Sequence, residues 1–167
     1  IHTIQIMDIR QDQEGADQGR EAVANPMPSA VGSVRLRFLG SGDNFGSGGR
    51  FQACIYVDAG TTRFLIDCGA SSLIAMKRAG IDSAAIDTIL ISHLHGDHFG
   101  GIPFFILDAQ LINRREKPLT IAGPPGLTQR IREAMEVFYP GSSSVERKFA
   151  LKYIEMIEGE MTQTGDL

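Results

Sequence analysis

The chain has no tryptophan, only four histidines and two cysteines, and no apolar run long enough for a bilayer. Each scarcity excludes something. A membrane-spanning helix needs about 20 consecutive apolar residues. The start, "IHTIQIMDIRQDQ", lacks the basic opening and apolar centre of a secretory signal. Cys54 and Cys68 are too few for a disulfide framework, so the expectation is a pair of buried, reduced thiols in a cytoplasmic protein. Positive charge is not in excess either: 16 Lys and Arg against 20 Asp and Glu leave a net charge of −4. No global basic field marks the chain for nucleic acid, although a local basic groove remains compatible with that balance.

The rest is the composition of a single folded unit, with 167 residues, 43% hydrophobic and 22% charged. Residues 1–30 stand apart. "RQDQEGADQGREAVANPMPSA" is polar and rich in Gly, Gln and Pro, and residues 1–30 carry two arginines against five acids. This segment is expected to be a flexible leader or linker, with the folded part spanning 31–167.

Within that part, "VRLRF" alternates apolar and basic residues as a strand with one buried face does. "GSGDNFGSGG" follows, a ten-residue loop of which half is glycine, without the Gly-Lys-Ser/Thr ending of a phosphate loop. "QACIYV" and "TRFLIDCG" read as a hairpin turning at Asp58-Ala59-Gly60. "SSLIAMKRAG" predicts a short helix, capped by Ser71 or Ser72 and ended by Gly80. "DTILIS" is a buried-strand run. Ile102, Phe105, Ile106, Ala109 and Ile112 follow helical spacing. "PLTIAG" is a strand, Leu127, Ile131, Met135 and Phe138 mark one face of an amphipathic helix, and "FALKYIEMIEGEM" ends in strand. Strands first, then alternating helix and strand, predict an α/β (α+β) chain with a mixed sheet and helices on one face.

"ISHLHGDHFGG" holds three of the four histidines. His93 and His95 are two apart where a strand ends, so in extended backbone both side chains leave on the same side. Asp97 and His98 follow a glycine and can reach a second, neighbouring position. Imidazole and carboxylate are ligands for zinc and related divalent ions. A lone histidine is more often a packed or surface residue; three with an aspartate in one glycine-rich loop are not explained by packing. The spacing serves two adjacent ions, able to activate water and hold ester oxygens, with Asp97 as a general base.

This segment resembles the His-x-His-x-Asp-His motif of the metallo-β-lactamase superfamily. With "LGSG", "LIDCG" and "LTIAGPPGL" it is most similar to the ribonuclease Z-like and arylsulfatase-like branch. The resemblance implies an αββα sandwich, of which this chain holds the N-terminal half. It implies two zinc ions, with His93 and His95 on the first, Asp97 and His98 on the second, and Asp67 as the carboxylate that orients the site. The implied activity is hydrolysis of a phosphodiester, sulfate ester or related ester.

The same resemblance calls for a third histidine, a bridging aspartate and a last histidine further along. No histidine follows His98, and the remaining one is His2. The expectation is half of a dinuclear site, in a fragment of a longer protein, a homodimer, or a chain completed by a partner. An incomplete, non-catalytic half-domain is the competing expectation. "DCGASS" replaces the Gly-Glu-Gly-Thr typical of true ribonuclease Z, so a small ester or phosphodiester is favoured over nucleic acid.

Overall fold

The computed structural model describes residues 3–8 and 33–164. One seven-stranded sheet runs in chain order: β1 (Thr3–Asp8), β2 (Ser33–Gly40), β3 (Cys54–Asp58), β4 (Arg63–Ile66), β5 (Thr88–Leu90), β6 (Leu119–Gly123) and β7 (Leu151–Glu155). β1 and β2 are parallel, β2–β3–β4 form an antiparallel meander, and β4 to β7 are parallel. Four helices accompany the sheet: α1 (Ser72–Arg78), α2 (Gly96–Phe99), α3 (Ile102–Leu107) and α4 (Leu127–Phe138). None of the described helices is long and apolar enough to cross a membrane. β1 falls inside the segment expected to be a leader; paired along β2, Thr3–Asp8 is sheet. The rest of that segment lies outside the described residues.

Register shows why the helices gather on one face. Tyr56, Leu65, Ile89, Ile121 and Tyr153 stand in line across five strands. Leu65, Ile89 and Ile121 are fully buried, in one cluster with Ala75 and Met76 of α1, Ile102, Phe105 and Ile106 of α3, and Leu127, Ile131 and Met135 of α4. Each of the larger of these side chains contributes roughly 1.5–3 kcal/mol through burial, Ala75 less. One step along each strand the side chains leave on the opposite face. There Leu36, Ile55, Phe64, Ile66, Leu90 and Ile154 are only half-buried. Val57 and Ala122, though buried, stand outside the core cluster.

β2 departs from the simplest reading of its pattern. Its two basic residues share the helix-bearing face with Leu39, which joins the core cluster: Arg35 pairs with Asp58 at 3.0 Å, and Arg37 Nη1 donates to the Ala79 carbonyl just past α1. Val34, Leu36 and Phe38 look the other way.

Other boundaries moved for local reasons. Ser71 precedes α1 but does not cap it, because its Oγ accepts from the Gln52 N–H instead. The helix expected over 102–112 becomes α3 plus one wide π-turn, Asp108–Ile112. That turn carries Asp108 inward, where it accepts from Ser83 Oγ and Asn113 Nδ2 and faces Lys77 at 3.4 Å. The wider turn shifts the helical phase, and Ile112 emerges 70% exposed. Phe138, expected on the buried face of α4, is half exposed and stacks on Phe104.

Candidate metal centre

β5 delivers the chain to the site. The sheet continues one residue past it, with Ile91 N–H donating to Ala122, and the chain then leaves as Ser92-His93-Leu94-His95. His93 and His95 turn to one side, their ring centroids 4.7 Å apart. α2 reverses the chain and returns His98, whose ring lies 3.9 Å from that of His93. Close backbone contact locks this loop to the end of β4: Cys68 N–H donates to the His98 carbonyl, and Gly101 N–H to Cys68. A side chain at Gly69 would run into the Asp97 carbonyl, and one at Gly101 into the carbonyls of Cys68 and Gly69.

Asp67 sits just past β4 in a left-handed conformation, φ 62°, unusual for a residue other than glycine. The twist turns its carboxylate onto the histidine loop. Oδ1 accepts from Ser92 N–H at 2.8 Å, and Oδ2 accepts from Ser92 Oγ at 2.9 Å and lies 2.7 Å from His98 Nδ1. Since a carboxylate only accepts, His98 donates from Nδ1. Ser92 has spent its one hydrogen on Asp67, so its oxygen, 3.1 Å from His93 Nδ1, accepts there. One carboxylate and one hydroxyl thus make Nδ1 the donor in both rings, which points each Nε2 away as the nitrogen a metal would take.

Asp97 is buried at the start of α2. Its Oδ1 accepts from Asn44 Nδ2 at 2.8 Å, and its Oδ2 lies 3.5 Å from His98 Nε2. Asp97 Oδ2 and His98 Nε2 thus face one point, an arrangement of ligand atoms suited to a cation. Neither Ser92 nor Asn44 was singled out from the sequence. Ser92 adjoins the motif, but Asn44 lies 53 positions away in the glycine-rich loop and carries no local signal.

The loop 40–53 and the helix-free face of the sheet enclose a pocket of about 440 Å³ beside Asp67, Asp97 and His98. Arg50 and Asp43 line its mouth. Asp43 accepts from Phe45 N–H and from the backbone and hydroxyl of Ser47, which orders the loop and holds its carboxyl below the usual range.

The donors are therefore of the right chemistry for a metal, but their number is short. Among the described residues no three His, Cys, Asp or Glu side chains converge to hold one ion. Cys54 and Cys68 do not fill the gap. Both are free and buried; burial pushes the Cys54 thiol up to about 12 and the Cys68 thiol well above its ordinary value, which keeps them protonated and poor ligands. His2 lies outside the described residues.

Likenesses to known proteins bear on this arrangement. Residues 34–157 match the family model described as "Anti-Pycsar protein Apyc1". A ribonuclease Z of Agathobacter rectalis is 43% identical over 97 residues, 58% of this chain and 30% of that protein. Human tRNase Z, short form, superposes with a TM-score of 0.59 at 30% identity, over 72% of this chain and 44% of that one. The metallo-β-lactamase fold protein YhfI of Bacillus subtilis superposes with a TM-score of 0.57 at 17% identity, over 79% and 49%, a likeness of fold. The chain spans less than half the length of each of these relatives. With the family model covering more than half of its residues, the chain belongs to the Anti-Pycsar protein Apyc1 family and, by sequence and fold together, to the ribonuclease Z-like part of the metallo-β-lactamase superfamily.

Proposed function

We propose that this chain carries one half of the active site of a metal-dependent hydrolase that cleaves a phosphodiester or a related ester. The observation that carries the reading is the relay Asp67–Ser92–His93/His98. It fixes two imidazoles in the tautomer a metal ligand needs, next to a buried aspartate and an open pocket. His93, His95, His98 and Asp97 would hold the ions, two zinc ions being the expected complement. A divalent ion bound there supplies Lewis acidity toward an ester oxygen. The chain's own residues do the rest. Asp67 orients His98 through Nδ1, and Ser92 orients His93. Asn44 occupies Asp97 Oδ1, so that Oδ2 is the atom available to take a proton from an attacking water. The two ribonuclease Z relatives make RNA a natural first substrate to test beside small phosphodiesters.

The test uses the full-length gene product: metal content, and hydrolysis of a generic phosphodiester and of a short RNA. His95→Ala and a strong chelator should each abolish turnover while the fold persists. Activity indifferent to both would sink the reading. The shortage of converging ligands supports a second reading, a non-catalytic half-domain, alone or as a homodimer. Metal-dependent turnover by the purified full-length protein would rule it out.

A further inference from the structure

A second pocket lies at the opposite end of the sheet. β5, β6 and β7 are parallel. The histidine loop follows the C-terminal end of β5, whereas residues 110–118 and 146–149 lead into the N-terminal ends of β6 and β7. Between those two segments is a pocket of about 390 Å³. Four of the residues lining it are basic, namely Arg114, Arg115, Arg147 and Lys148, against a single acid, Glu146.

In a chain of net charge −4 this is a local reversal of sign. None of the four cations joins an ion pair among the described residues. Two of them form a fixed frame. Arg115 is almost fully buried and donates to the carbonyls of Ala84, Lys117 and Pro118. Arg147 donates to Ser142 and Val145 through its terminal nitrogens, while its buried Nε has no acceptor. The other two are uncommitted. Arg114 and Lys148 are exposed, and their side chains make no hydrogen bond among the described residues. Arg114 is also held at φ 47°, a conformation non-glycine residues rarely adopt and one that clusters at binding sites. Four cations from two distant segments, around one concavity with Glu146 as the one acid of its lining, leave a net positive field that an anion would relieve.

We propose that this pocket binds a multiply charged phosphoryl anion. Arg114 and Lys148 make the ligand contacts, and the immobile guanidinium groups of Arg115 and Arg147 add a fixed positive field. Guanidinium and ammonium donors match the closely spaced oxygens of a phosphate or pyrophosphate better than a single carboxylate. The same chemistry is offered by a free nucleoside polyphosphate and by a nucleic-acid backbone. The site lies away from the histidine loop, and the proposal does not depend on the hydrolase reading.

The experiment is calorimetric titration of the full-length protein with pyrophosphate and with a short single-stranded RNA. The proteins compared are wild type, Arg114→Gln, Lys148→Gln and His95→Ala, each checked for native thermal unfolding. With a chelator present to keep the histidine site free of metal, pyrophosphate should bind wild type and His95→Ala alike, and affinity should fall about tenfold in each of the other two variants. RNA that competes with pyrophosphate, with affinity falling steeply as salt rises, identifies a nucleic-acid backbone as the source. Competition by nucleoside triphosphate but not by RNA identifies a free phosphate ligand. Absence of binding overturns the proposal. So does binding unchanged in Arg114→Gln and Lys148→Gln, or binding lost in His95→Ala.

Discussion

Asp67 is the residue on which the imidazole cluster turns. It satisfies Ser92 twice and His98 once, and an asparagine could keep the shape but not the three acceptor contacts. Asp67→Asn is expected to weaken metal binding in the full-length protein by roughly 10- to 100-fold with little change in unfolding temperature. Competition with a chromophoric chelator measures this, and an unchanged affinity would contradict the orienting role. Asn44→Ala tests the other carboxylate. Removing the donor to Asp97 Oδ1 should lower kcat about tenfold and leave KM near its original value, because Asn44 touches the carboxylate proposed to handle the proton. Gly69→Ala is the structural contrast. Its methyl group meets the Asp97 carbonyl, so a loss of about 1–3 kcal/mol is expected in denaturant unfolding, through overpacking.

At the scale of elements, the strand β4 and the loop after β5 behave as one unit. Cys54 on β3 and Cys68 after β4 lie in this seam, and both thiols are held protonated by burial. For Cys54 the native state keeps the proton to about 12, whereas an unburied thiol loses it near 9.0. The native state therefore binds this proton more tightly than the unfolded chain. Its contribution is full below pH 9.0 and is lost as pH rises toward about 12. Unfolding temperature should fall over that window, and less steeply in Cys54→Ala. A thiol reagent at neutral pH should leave both cysteines unmodified until the protein unfolds. The end of β7 is tied to α4 in a comparable way: Glu155 accepts from Gly126 and Thr128 N–H, closing the open donors of the helix start and holding its carboxyl below the usual range.

For the whole molecule, the decisive asymmetry is between the two faces of the sheet. One is sealed by α1, α3 and α4. The other carries Leu36, Ile55, Phe64, Ile66 and Leu90 half-buried, and also forms the floor of the pocket beside Asp97. An apolar face of this extent favours burial against another surface. The 167-residue chain on its own is expected to bind a hydrophobic dye and to grow in apparent mass with concentration. Phe64→Lys should reduce both. A strictly monomeric, dye-silent chain would show that the face is otherwise covered.

Much of this was readable along the chain. The order of strands and helices from β2 onward, the mixed sheet with one helical face and the histidine cluster all follow from local periodicity and spacing, because contacts within a strand, a helix turn or a six-residue loop are fixed by the neighbours in sequence, whereas β1 reads as leader in the sequence. The wide turn at Asp108–Ile112 was not readable, since it answers to Ser83, 25 positions away. Nor was the facing of β2: alternation tells which residues share a side, and only pairing with β3 and the approach of α1 tell which side bears the helices. The same limit governs the site. The sequence by itself determined the donors, His93, His95, Asp97 and His98. Only the tertiary structure decided that Asp67 sets the tautomers through Ser92, that Asn44 holds Asp97 from 53 residues away, and that four cations meet at the far end of the sheet. Hydrogen bonds and charge clusters between distant segments depend on where the sheet brings those segments together, and no local pattern encodes that.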